Sequence, residues 1–293
     1  MSMLVTHTIG ETRAAIAAAR AAGRSIEFVP TMGALHEGHG SLIELARRPG
    51  AFLVVSIFVN PIQFDRQDDY EHYPRTLPED LEFCRARGVD LVFAPSVEEM
   101  YPAPPRTFVE VTGLTDHLCG RFRPGHFRGV ATVVAKLFGI VQPDRAYFGE
   151  KDAQQLAVIR RMVHDLNLPV QIVAGPTMRE ADGLALSSRN RRLDAAQRQA
   201  AAAIYRALQA AAEKVVAGVR NPETVRGAAL AVLDREPLLR LEYLEIVDTC
   251  EMQPVEQISG EVLIATAVWA GSTRLIDNVR AAPRSAAQQT PSE

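Results

Sequence analysis

Two periodicities alternate along the first part of the chain. Ser25–Val29, Phe52–Val59, Asp90–Pro95, Arg145–Phe148 and Val170–Ala174 read as short strands, and Phe52–Val59 is the nearly continuous apolar, β-branched run of a strand covered on both faces. Between them lie stretches with helical spacing: Thr12–Ala22, Ser41–Arg48, Pro78–Arg87, Gly129–Val141 and Asp152–Leu166. Gly23 and Gly88 stand where helix ends favour glycine, and Pro78 stands early in its helix. Strands alternating with helices predict parallel βαβ units, an open doubly wound α/β sheet with helices on both faces. Ligands of such sheets lie outside the carboxyl ends of the strands. The segments after Val29, Val59, Phe148 and Ala174 are therefore expected to gather in one crevice.

Beyond Arg179 the pattern changes. Asp194–Ala217 and Pro222–Arg235 read as long helices, followed by strands at Leu238–Val247, Glu261–Trp269 and Arg274–Ile276. That order predicts a smaller α+β domain. The expected domains are 1–180, which binds nucleotide, and 181–280, followed by a polar, disordered tail over 281–293.

Composition narrows the functional classes. The chain has 293 residues, 47% hydrophobic and 23% charged, which is the make-up of a globular protein rather than a disordered one. A net charge of −3 gives no overall electrostatic case for nucleic-acid binding, so an anionic ligand would need a local basic cluster. Cys84, Cys119 and Cys250 are odd in number and far apart, and are expected to be reduced, small buried hydrophobes. The N-terminus lacks the charged start and apolar block of a secretory signal, and no apolar run approaches the ~20 residues of a membrane span. A soluble cytoplasmic protein with no membrane or nucleic-acid partner is expected.

The candidate chemistry sits at the strand ends. Val29-Pro-Thr-Met-Gly-Ala-Leu-His-Glu-Gly-His39 reads as strand, glycine-containing turn and helix start. His36 and His39 lie three apart, on one face of a helical turn, where unpaired N–H groups and the helix dipole favour phosphate. Glu37 between them invites comparison with His-Glu-x-x-His zinc sites, but the spacing is three rather than four and no third ligand is near. Helix-capping histidines are the plain alternative. Asn60-Pro-Ile-Gln63 is either a turn or a pair of substrate-binding amides. Arg121, Arg123, His126 and Arg128 share one Pro-Gly loop, which is either an anion-binding cluster or a solvated turn. Gly149-Glu-Lys-Asp152 places Lys151 at a helix start, against the favourable charge sign, which hints at a bound anion. Asp152 could simply cap that helix, and Gln155 follows on the face expected to look into the crevice. Ser187-Ser-Arg189 offers hydroxyl and guanidinium donors for phosphate. The residues alone read as a nucleotide-binding α/β enzyme.

Taken together, Pro30–His39, Ser56–Phe64, Arg123–Gly129, Phe148–Asp152 and Asp182–Asn190 resemble the pantothenate synthetase family in order and spacing, and the resemblance extends to Trp269 and Leu275–Asn278. His-x-Gly-His alone would mark a whole superfamily of nucleotidyl transferases and class I aminoacyl-tRNA synthetases. The resemblance implies a Rossmann-like N-terminal domain, a smaller lid domain and a homodimer. It also implies ATP-dependent condensation of pantoate with β-alanine through a pantoyl-adenylate, with Mg²⁺ and with AMP and pyrophosphate as products.

Carried over residue by residue, the resemblance makes His36, His39 and Lys151 catalytic, with His39 the proton donor. It places Met32, Gly33, Ala34, Leu35, Glu37, Gly38, Gly149, Glu150, Asp152, Met178, Leu186, Ser187, Ser188 and Arg189 around ATP, together with those three. Gln63 and Gln155 would bind pantoate, with Asn60 and His126 as further contacts there, and Gln63 would also meet β-alanine. Metal ligands are unassigned. The chain departs from the family pattern at Cys119, where Glu is common, at Tyr147, where a smaller residue is common, and at Gly40, where a larger apolar residue is expected and where the helix start could loosen. The rival readings are a nucleotidylyltransferase that leaves AMP on its product, a tRNA-binding synthetase-like module and a non-catalytic nucleotide-binding regulator.

Overall fold

The computed structural model describes residues 3–284. Contacts divide the chain into two units. One takes the residues up to 112, 123–150 and 158–178; the other takes 113–122, 151–157 and the chain from 179 on. In chain order the first elements are β1 (Leu4–Thr6), α1 (Ile9–Ala21), β2 (Ile26–Thr31), α2 (Glu37–Ala46) and β3 (Phe52–Ile57). Next come α3 (Gln67–Glu71), α4 (Leu77–Ala86), β4 (Leu91–Phe93), α5 (Val97–Met100) and α6 (Leu118–Phe122). They are followed by α7 (His126–Val141), β5 (Arg145–Gly149), α8 (Ala153–Asp165) and β6 (Gln171–Gly175).

The six strands form one parallel sheet in the order β1-β4-β3-β2-β5-β6. Val29, Ile43, Val55 and Val92 are among its core residues. The strand order reverses between β2 and β5, the switch point at which open α/β sheets bind ligands. β2 runs two residues past its expected end, through Pro30 to Thr31. Pro30 is tolerated in this central strand because β2 has ladder partners on β5 only at Glu27 and Phe28, so Pro30 pairs with β3 alone. Helix α1 starts three residues earlier than the apolar spacing suggests, because Thr8 and Glu11 form a reciprocal capping box. The edge strand β1 was not expected, since three residues carry too little pattern.

The second unit is built on α9 (Ala195–Val216) and α10 (Pro222–Leu233), followed by β7 (Leu239–Asp248), β8 (Val262–Ala270) and β9 (Thr273–Ala281). These strands form an antiparallel sheet in the order β7-β8-β9, with Ile204, Leu208, Leu244 and Ile264 in its core. β9 is longer than the expected Arg274–Ile276. Asp277 and Asn278 broke the apolar signal, yet both are buried, because Arg179 meets the Asp277 carboxylate at 2.6 and 3.0 Å. Ala281 closes that strand rather than opening a tail, and residues 285–293 of the expected tail lie outside the described residues.

Candidate functional site

The turn between β2 and α2 is fixed by one distant carboxylate. Gly33 and Ala34 both have positive φ, 81° and 51°. Asp80 of α4, only 2% exposed, accepts from the Ala34 N–H at 2.9 Å and the Leu35 N–H at 2.7 Å. The Thr76 hydroxyl steadies the same carboxylate at 3.2 Å. A Cβ at position 33 would lie 2.9 Å from Asp80 Oδ2, so glycine is required there for space as well as for φ.

The turn delivers the two histidines to the start of α2, where they act as its cap. His36 Nδ1 accepts from the Gly38 N–H at 3.1 Å, and His39 Nδ1 accepts from the His36 N–H at 3.3 Å. The ring centroids are 4.1 Å apart. With both Nδ1 atoms accepting from backbone, a neutral imidazole must carry its proton on Nε2. The cap thus leaves Nε2 as the N–H of each neutral ring.

The Glu37 carboxylate lies on Arg87, 2.7 Å away, and Arg87 stacks on Phe83. Those groups fill the space beside Gly40, where a Cβ would meet Arg87 Nε at 2.9 Å. A glycine at position 40 therefore leaves no void at the helix start.

Four of the expected residues meet after β3. Asn60 is 1% exposed and its amide is fully engaged. Its Nδ2 donates to Gln63 Oε1 at 3.0 Å and to the Gly129 carbonyl at 3.2 Å, while the Tyr101 hydroxyl donates to its Oδ1 at 2.9 Å. Gln63 Nε2 donates to Met32 Sδ at 3.1 Å. His126 Nδ1 lies 2.7 Å from the Gln63 carbonyl, which can only accept, so that ring nitrogen is the donor. A Cβ on Gly129 would come within 2.4 Å of the Ile62 carbonyl, so α7 packs directly against the Pro61–Gln63 turn.

The loop at residues 121–128, readable from sequence either as an anion-binding cluster or as a solvated turn, has its cations engaged by neighbours. Arg123 pairs with Asp65 at 2.8 Å, Arg128 stacks over Phe108, and Arg121 lies over Phe122. Arg123 also reaches His126 Nε2 at 3.2 Å, so two of the loop's basic residues meet beside Gln63.

In the second unit, Lys151 lies in a 3-10 turn, Glu150–Asp152, ahead of α8, and Asn278 Nδ2 donates to its carbonyl at 2.9 Å. The two adjacent glutamines differ. The buried Gln154 holds residues 113–122, donating to the Leu114 and His117 carbonyls at 2.9 and 2.8 Å, whereas Gln155 is half-buried. Gly149, in the first unit, has nothing within 4 Å of a notional Cβ, so its backbone is open to approach.

The Ser187–Arg189 segment begins a 3-10 turn in which Ser187 Oγ accepts from the Arg189 N–H at 3.2 Å. It follows a hairpin closed by an Arg179–Ala185 bridge and tied outward by Arg198 to Glu180 and Asp182, at 2.5 and 2.6 Å. Leu186 is half-buried and Met178, in the first unit, is exposed.

Sequence reasoning missed Asp80, Tyr101 and Gln154, none of which has a local signal. Of the cysteines, Cys84 and Cys119 are buried as expected, and burial pushes the Cys84 thiol up to about 12. Cys250 is exposed, because it lies in a turn whose N–H groups are gathered by Asp248. The departures are accommodated: the Tyr147 hydroxyl donates to the buried Glu27 at 2.7 Å, and Cys119 Sγ lies 3.2 Å from the Tyr243 hydroxyl.

Comparison with known proteins agrees with this architecture. The pantothenate synthetase of Moorella thermoacetica is 54% identical over 277 residues, covering 94% of this chain and 98% of the relative. The crystal structure of pantothenate synthetase from Thermus thermophilus superposes with a TM-score of 0.89 at 48% identity, covering 94% of this chain and 99% of that one. A pantoate-beta-alanine ligase from Francisella tularensis, solved in complex with beta-gamma ATP and beta-alanine, matches with a TM-score of 0.78 at 34% identity, covering 95% and 97%. Residues 4–280 match the profile of the family described as pantoate-beta-alanine ligase, and the chain belongs to that family.

Proposed function

We propose that the family reaction, ATP-dependent joining of pantoate to β-alanine, proceeds in this chain through a pantoyl-adenylate. A pantoate carboxylate oxygen attacks the α-phosphorus, the bond to the β-phosphate oxygen breaks, and pyrophosphate leaves. The β-alanine amine then attacks the acyl carbon; the C–O bond to AMP breaks and the amine loses a proton. The observation that carries this reading is the capped histidine pair at the end of β2. Its Nδ1 atoms are committed to backbone, so each Nε2–H is held as a preorganised donor for charge developing on phosphate.

His39 is the proton donor of the pair, and His36 supports it. Lys151 holds a phosphate oxygen, and Ser187, Ser188 and Arg189 neutralise the β- and γ-phosphates. Met32, Gly33–Leu35, Gly38, Gly149, Glu150, Asp152, Met178 and Leu186 surround the nucleotide. Gln63 and Gln155 bind pantoate, with Asn60 and His126 beside them, and Gln63 also meets β-alanine.

Mg²⁺ accompanies ATP. Among the described residues no group of three or more His, Cys, Asp or Glu side chains is placed to hold a metal, so those residues offer no cage of their own. The ion fits as a companion of the triphosphate, and no step is routed through it. The three free cysteines, one exposed, suit a reducing cytoplasm. The working form is a homodimer with residues 181–280 serving as a lid to the 1–180 domain; light scattering that gave the single-chain mass would overturn the dimer.

The deciding experiment is ATP–pyrophosphate exchange with pantoate present and β-alanine absent. Pantoate-dependent exchange is expected. Folded enzyme that makes pantothenate without any such exchange would remove the adenylate from the mechanism, and AMP retained on the product would favour a nucleotidylyltransferase.

A further inference from the structure

A carboxamide has the same shape whichever way its oxygen and nitrogen point, so its polarity is set by its partners. Around Gln63 those partners form a chain with a fixed end. The Gly129 carbonyl, in the first turn of α7, can only accept, so the Asn60 atom facing it at 3.2 Å is the nitrogen. The other proton of that nitrogen points at Gln63, 3.0 Å away, so the Gln63 atom facing it is the oxygen. That leaves Gln63 Nε2 on the far side, beside Met32 Sδ, a weak acceptor.

Tyr101 closes the other end by donating to Asn60 Oδ1 at 2.9 Å. Burial pushes its phenol up to about 12, so the hydroxyl keeps its proton across the working range. Its ring is in turn held under Lys136, whose Nζ lies 4.5 Å from the centroid.

We propose that Tyr101 and Asn60 are positioning residues that lock the Gln63 carboxamide with its nitrogen outward, so that it meets substrate as a hydrogen-bond donor only. This rests on the reading of Gln63 as a pantoate contact. The chemistry selected is an oxygen lone pair. A carboxylate or hydroxyl oxygen is accepted at Gln63, so β-alanine would meet it through its carboxylate, and a group offering only N–H is refused.

The test uses the full chain and steady-state kinetics, with pantoate and ATP varied separately. Tyr101→Phe removes one hydroxyl and should raise the pantoate KM about three- to tenfold while leaving the ATP KM unchanged. Asn60→Asp sets carboxylate oxygens against the Gly129 carbonyl and Gln63 Oε1, which turns the Gln63 amide round; a loss on the order of a hundredfold in kcat/KM for pantoate is expected. In a Gln63→Ala background, Tyr101→Phe should change the pantoate KM by less than about twofold, because the group it orients is gone. A general structural role would instead show its full effect in both backgrounds, and that additive result would overturn the proposal. Gln63→Ala with a wild-type pantoate KM would overturn the pantoate reading itself. A damaged Gln63→Ala beside an undamaged Tyr101→Phe would overturn the inference alone. Should Asn60→Asp fail to fold, the Tyr101→Phe single and double variants still decide.

Discussion

The turn and helix start at Met32–His39 and the segment Glu180–Arg192 both carry candidate phosphate-binding residues, but they are held in different ways. The first is fixed by backbone N–H groups donating to a buried carboxylate, Asp80, and to imidazole nitrogens. The second is anchored at its base by the buried Arg179–Asp277 pair, while its outer part depends on Arg198, with partners 32% and 42% exposed. Buried hydrogen bonds to backbone resist salt; half-exposed ion pairs are screened by it. The first region should therefore keep its geometry as salt is raised, and the outer part of the second should loosen.

That contrast can be attacked at several strengths. The largest effect is expected from His39→Ala, at roughly 10²–10³-fold in pantoate-dependent adenylation, by analogy with losing a preorganised donor, with Lys151→Ala comparable. Near wild-type exchange rates in either variant would remove that residue from the chemistry. Next, Asp80→Ala leaves two buried N–H groups without their acceptor and should lower stability by about 2–4 kcal/mol in urea unfolding, with ATP binding impaired. An effect well under 1 kcal/mol would mean that the turn holds itself.

Arg198→Ala should cost no more than about 1 kcal/mol, and the difference should shrink in 1 M salt, as expected for a half-exposed pair. A salt-independent loss would break the comparison. The smallest effect is a titration. Arg198 holds the Asp182 carboxyl below its ordinary 3.8. A depressed carboxylate contributes stability that is present above the unfolded value and lost as pH falls through the folded one. The Leu184 N–H donates to Asp182, so its chemical shift should titrate with a midpoint below 3.8. Arg198→Ala should move that midpoint upward.

The sheet was legible because its strands alternate with helical stretches, and β3, buried along nearly its whole length, reads as an almost unbroken apolar run. The histidine pair was legible because its spacing is local. Asp80 was not: it reaches Leu35 across 45 positions from an otherwise ordinary helix, and no periodicity records such a contact. Tyr101 was hidden for the same reason. Asn60 was visible as a polar residue after a core strand, but that its amide is fully engaged by protein partners depends on Gly129, 69 positions away.

Those separations have a consequence for how the molecule is made. As the chain emerges from its N-terminus, the Ala34 and Leu35 amides of the histidine-bearing turn lack their carboxylate acceptor until α4 follows. The Gln63 amide gains its reference carbonyl later still, when Gly129 arrives. The order of synthesis is thus also an order of maturation: the histidine-bearing turn can settle first, and the polarity of Gln63 only afterwards. A nascent chain halted between α4 and α7 would have a set histidine turn beside an undirected glutamine.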